Sequence, residues 1–98
     1  MALELFWSPR ADKKFDTITD YLREEWGEKV TAAFVKKIYE FLELLVEFPE
    51  IGKIENKDRN IRGFVIVKQV TVFYKIKGNR IILLNFFENQ TKPSKKKF

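Results

Sequence analysis

The 98 residues, 45% hydrophobic and 15% aromatic, suffice for a single domain over residues 1–98 with one real core. Without cysteine there is no disulfide framework, thiolate zinc site or thiol nucleophile, and without histidine a Ser-His-Asp triad, a Cys-His pair and a two-histidine ribonuclease are excluded, leaving Lys, Arg, Tyr or a carboxylate for any proton transfer. The net charge of +5 is uneven: residues 1–50 hold seven Lys/Arg against eleven Asp/Glu (−4), and residues 51–98 hold twelve against three (+9), an asymmetry that points to nucleic acid or an acidic partner.

Leu3 to Trp7 alternates as a short strand. Ser8-Pro9 then supplies an N-cap and a first helical position, where proline's missing N–H costs nothing. Phe15, Ile18, Leu22 and Trp26 recur at helical spacing, and Gly27 can take a positive φ and end that helix. A second helical pattern runs through Val30, Phe34, Ile38, Phe41, Leu42, Leu45 and Phe48, and Pro49 closes it. So short a joint predicts an antiparallel helical hairpin. Residues 51–60, with Gly52 and five charges, read as a loop. Beyond them the period changes to two: 61–67 and 70–76 are β-branched and aromatic, and Gly78-Asn79 suits a tight hairpin turn. Ile81 to Phe87 is apolar on both faces and belongs inside the sheet. The tail from Thr91, with Lys95-Lys96-Lys97, reads as frayed. The expected fold is α+β, in the order β-α-α-β-β-β, with the hairpin packed on a mainly antiparallel four-stranded sheet. No apolar run nears the roughly 18 residues of a membrane span and the N-terminus has no signal pattern, so a cytoplasmic protein with no membrane partner is expected.

Among candidate site residues, Lys53, Lys57 and Arg59 form a basic loop beside Arg62 that could face phosphates, although charged loops are common. Arg62 sits among apolar neighbours; it either binds a phosphate or a target protein, or pairs with a carboxylate on the helical hairpin. Arg80 reads first as a solvated turn residue. Tyr74 is expected in the core with its hydroxyl reaching a partner at the edge, and Trp7 and Trp26 as packing anchors. Glu24, Glu25 and Glu28 crowd one helix end without metal-ligand spacing, so neither metal nor cofactor is expected.

Several phrases resemble the RelE/ParE superfamily of toxins from bacterial type II toxin–antitoxin pairs. Phe6-Trp7-Ser8-Pro9-Arg10-Ala11 looks like that family's opening strand and helix start, and Thr31-Ala32-Ala33-Phe34-Val35 like the start of its second helix. Phe48-Pro49-Glu50-Ile51-Gly52 is similar to its helix exit, and Asn60-Ile61-Arg62-Gly63-Phe64 to its arginine-bearing second strand. Val72-Phe73-Tyr74-Lys75-Ile76 followed by Ile81 to Leu84 resembles its third and fourth strands. The match runs from about residue 3 to 93, and its weight lies in the joint order of these phrases. The resemblance implies a toxin held inactive by a small acidic antitoxin, with a second copy of the chain as a further candidate partner. In RelE-type, ribosome-dependent mRNA nucleases it would imply basic residues on the sheet, an arginine after the last strand and a tyrosine near the C-terminus. Here Gln90 stands where relatives often carry that arginine, and no tyrosine follows Tyr74. Arg62 is then the best catalytic candidate, in an otherwise unknown set. The ParE branch poisons DNA gyrase without hydrolysing anything and needs no such set, so the resemblance favours a non-enzymatic gyrase poison. A RelE-like nuclease acting on ribosome-bound mRNA, or a non-toxic binding module of the same fold, is the alternative.

Overall fold

The computed structural model describes residues 3–67 and 70–88, with elements in the order β1 (Glu4–Trp7), α1 (Pro9–Glu47), β2 (Lys53–Asn56), β3 (Ile61–Val67), β4 (Val70–Lys77) and β5 (Arg80–Glu88). Local chemistry sets the helical boundaries. The Ser8 hydroxyl accepts from the Ala11 N–H and donates to the Leu84 carbonyl, so one side chain caps α1 and ties its start to β5. At the other end the Phe48 N–H closes on the Leu44 carbonyl, and Pro49 cannot continue the ladder.

α1 is one helical element broken at Gly27, whose φ of 90° and ψ of 175° lie outside the helical region. A straight helix of 39 residues would be about 58 Å long, yet the longest dimension of the molecule is 39 Å. The Phe15 and Phe34 rings, nineteen positions apart, stack at 6.0 Å. Residues 9–26 and 28–47 therefore double back on each other at the glycine, as the sequence pattern predicts.

The sheet has five strands rather than four, in the order β1-β5-β4-β3-β2. β1 runs parallel to β5, and every other pairing is antiparallel. The strand absent from the expectation is β2, inside the stretch read as a loop. Its Lys-Ile-Glu-Asn sequence has a single apolar residue, which is tolerable because β2 is an edge with one neighbour, and edges are commonly charged and short. β5 lies between β1 and β4, the interior position its two apolar faces demand. The stretch from Thr91 read as frayed, and Gln90, lie outside the described residues.

α1 covers one face of the sheet. Ile18, Phe34, Ile38 and Leu45 meet Val72, Tyr74, Ile81, Leu83 and Phe86 in one core. Trp7 anchors its edge, with ring centroids 5.3 Å from Phe15 and 5.6 Å from Phe86, and Phe41 stacks on Phe64 at 4.6 Å. Trp26 departs from the expectation. It is 65% exposed, beside the break at Gly27, where it borders a hollow shared with Val70 and does not enter the core. No helix among the described residues is long and apolar enough to cross a membrane.

Candidate functional site

Alternation along the strands divides the basic residues between two faces. Arg62 pairs in register with Tyr74 on the helix side, and its Nη1 donates to the carbonyls of Gly52 at 2.9 Å and Glu50 at 3.2 Å. Neither reading from the sequence foresaw those partners. No carboxylate of the hairpin pairs with it, and its buried Nε has no partner among the described residues. Arg62 fastens the helix exit to the sheet. Tyr74 works beside it, wholly buried, its hydroxyl donating to the Pro49 carbonyl at 2.8 Å and accepting from the Gly52 N–H at 2.9 Å. Only glycine fits position 52, where a Cβ would stand 2.5 Å from that hydroxyl. Burial pushes the Tyr74 phenol above its ordinary pKa. The Gly52 N–H and the Arg62 charge pull it back, and Glu50 adds to the rise.

The other face of the sheet carries no helix among the described residues; Phe73 is buried within it against Phe87, and the face is open toward its Arg59 end. Arg59 is presented there by a turn in which the Asn56 side chain accepts from the Arg59 N–H, and Asn60 holds φ 57° while donating to the Ile76 carbonyl. Arg59 then shares a depression of about 580 Å³ with Arg10 and Lys75, floored by Ile61 and Leu84 and bordered by Ser8. Arg80 follows the β4–β5 turn, and its guanidinium lies 5.0 Å above the Phe6 ring on β1, so it is more than a solvated turn residue. Lys53 on the β2 edge and Lys57 in the following turn are exposed and line none of these features. Of the five candidates, the structure thus places Arg59 in the depression, Arg80 elsewhere at the sheet's β1 side, Lys53 and Lys57 at its opposite edge, and Arg62 on the other face.

Arg10 and Lys75 escaped the sequence reading. The signal for Lys75 was available: it alternates with Tyr74 and Ile76 in a strand whose even positions are apolar, which marks it as facing away from the core. Arg10 was hidden in a half of the chain that is acidic on balance. Among the described residues no cluster of His, Cys, Asp or Glu is placed to hold a metal ion. No tyrosine lies on the open face either, because Tyr74 turns inward while Tyr21 and Tyr39 belong to α1.

A second surface lies at the helix tip. Tyr21, Leu22, Trp26, Val30, Phe34 and Val70 line an apolar hollow of about 280 Å³.

The model of the ParE toxin of the type II toxin–antitoxin system parDE matches residues 5–90. The chain belongs to the ParE toxin family. That membership makes it a toxin of a toxin–antitoxin system and implies an antitoxin partner. Similar solved structures carry the same fold. One is of the chromosomal ParDE system from P. aeruginosa, with TM-score 0.75 and 18% identity over 89% of this chain and 96% of that one. A YoeB/ParE toxin from Agrobacterium tumefaciens has TM-score 0.64 and 13% identity over 88% of this chain and 98% of that one. A YoeB dimer from Staphylococcus aureus has TM-score 0.62 and 19% identity over 89% and 97%. No curated protein matches the sequence.

Proposed function

We propose that this toxin arrests growth as a ParE-like poison of DNA gyrase, cutting no substrate itself, and that a cognate acidic antitoxin neutralises it in the cytoplasm. The observation that carries this reading is the direction of Tyr74. A nuclease without histidine must activate a ribose 2′-hydroxyl and protonate the leaving oxygen with Lys, Arg, Tyr or a carboxylate. The one tyrosine of the described strands points its hydroxyl into the helix exit, where Pro49 and Gly52 engage it. Arg59, Lys75 and Arg10 supply positive charge to the open face, and the residues lining their depression include neither a tyrosine nor a carboxylate to pair with them in proton transfer. Charge alone is worth a few kcal/mol to a transition state, and lost acid–base assistance typically costs about 10²–10⁴ in rate. A binding surface needs only the charge.

In this reading Arg59 and Arg80, with Lys53 and Lys57 at the rim, contact the target, and Arg62 holds the fold. The same basic face draws an acidic antitoxin segment, speeding encounter at low salt and covering the residues used on the target. A gyrase cleavage assay on supercoiled plasmid, run beside primer extension on translating ribosomes, tests the mechanism. Linear plasmid is expected to accumulate with gyrase while translated mRNAs stay intact. Codon-phased mRNA cuts that vanish in Arg59→Ala would replace the reading with a RelE-type nuclease.

A further inference from the structure

The depression on the open face has a neighbour. Arg10 also borders a second one, of about 460 Å³, with Lys13, Lys14 and Thr17 on α1 and Asn85 on β5. Arg59, Lys75, Arg10 and Lys13 thereby form one basic track, running from the β2–β3 turn across the open face and onto the first turns of the helix. Three features set it apart from an ordinary charged surface. None of the ion pairs among the described residues engages these four side chains; Lys14 alone is drawn off, 3.8 Å from Glu88. Arg10 and Lys13 stand at the positive end of the helix dipole, where cations oppose helix stability, so they are not there to stabilise α1. Finally, the Ser8 cap ties this helix start to β5, so the two halves of the track are held in fixed relation.

We propose that this track binds the phosphate backbone of double-stranded DNA. Unpaired cations held in fixed relation along two adjoining depressions suit a row of phosphates, whose binding releases condensed counterions. The surface is poorly suited to a single strand, which is gripped by stacking its bases on free aromatic rings. Two aromatics of this face reach solvent among the described residues: Phe6, with the Arg80 guanidinium over one side of its ring, and half-buried Phe87, engaged edge-on by Phe73. The inference deepens the gyrase reading, since gyrase holds DNA in its cleavage complex, but its test contains no gyrase.

The purified chain is titrated into a fluorescein-labelled 20-base-pair duplex of arbitrary sequence, by anisotropy, over a series of salt concentrations. Arg10→Glu/Lys13→Glu is compared with Lys29→Glu/Lys36→Glu, which makes the same change of net charge on exposed positions of α1 away from the track. Glutamate suits a helix N-terminus, so the first variant should fold, and circular dichroism checks that it does. The track reversal is expected to weaken binding at least about tenfold and to flatten the salt slope by roughly 2, and the control to change it far less. The proposal falls if the chain does not bind the duplex at low salt, if both reversals weaken it equally, or if the track reversal has no effect and the lysine-rich tail alone binds. Tighter binding of the matching single strand, or of RNA, also overturns it. Cleavage complexes forming while the free chain ignores DNA would leave the gyrase reading standing and remove this inference alone.

Discussion

The two faces of the sheet are made by the same strands under different rules. Toward α1, Val72, Tyr74, Ile81, Leu83 and Phe86 are closed off from solvent, and the polar Arg62 and Tyr74 are engaged by the backbone of residues 49–52. On the open side Arg59, Lys75 and Arg80 have no carboxylate partner among the described residues. Arg59 and Arg62 are three positions apart and chemically identical, yet one fastens the helix exit and the other faces outward. What separates them is the turn: Arg59 lies in it, ahead of β3, whereas Arg62 is within β3. Arg62 lies on the same side as Phe64, which packs against the core, whereas Arg59 follows Ile61 and Lys75 into the open depression. Residue type alone therefore says little about role in such a fold.

That contrast can be broken on its closed side first. Phe86→Ala removes a fully buried ring that touches Trp7 and Phe15, and should cost about 3–5 kcal/mol, read by chemical denaturation. A loss below about 1 kcal/mol would mean that the helix-side face is not where stability is concentrated.

The next effect is smaller and carries a pH signature. Tyr74→Phe strands the Gly52 N–H and the Pro49 carbonyl, at about 1–3 kcal/mol near neutral pH. Because the folded-state pKa of Tyr74 is raised above its unfolded value, folding favours the protonated phenol. That contribution is complete below about pH 10 and is lost as pH rises through the folded value. Melting curves of both proteins against pH should therefore draw together above about pH 10. A gap that stays constant would mean that the phenol is not held protonated by its surroundings.

Much of this architecture was legible in the sequence because punctuation and period agree. Ser8-Pro9, Gly27 and Pro49 mark the helical boundaries, and the switch to period two after residue 60 marks the sheet. β2 was not legible, since an edge strand needs few apolar residues and Lys53 to Asn56 resembles any charged loop. Nor could periodicity foresee the exposure of Trp26, because it identifies an apolar face without saying which of its residues enter the core. The site was read less well. Summing charge by halves found Arg59 and Arg80, but it buried Arg10 and Lys13 in an acidic average and grouped Arg62 with neighbours that point the other way. Strand parity would have set Arg62 apart and brought in Lys75, whereas Arg59 is aimed by the turn ahead of β3. The meeting of Arg10 with Lys75 depends on the Ser8 tie to β5, a tertiary contact between residues 76 positions apart.

The smallest stability effect carries the most direct test. Arg59 is exposed, and its replacement by alanine should change stability by less than about 0.5 kcal/mol, whereas Arg62→Ala leaves the Glu50 and Gly52 carbonyls unpaired at about 1–3 kcal/mol. Both variants are measured for melting temperature and, below their transitions, for accumulation of gyrase–DNA cleavage complexes. The account predicts that Arg59→Ala melts like the parent and loses poisoning, while Arg62→Ala melts several degrees lower and, while folded, still poisons. Full melting temperature with lost poisoning in Arg62→Ala, together with an unimpaired Arg59→Ala, would contradict it.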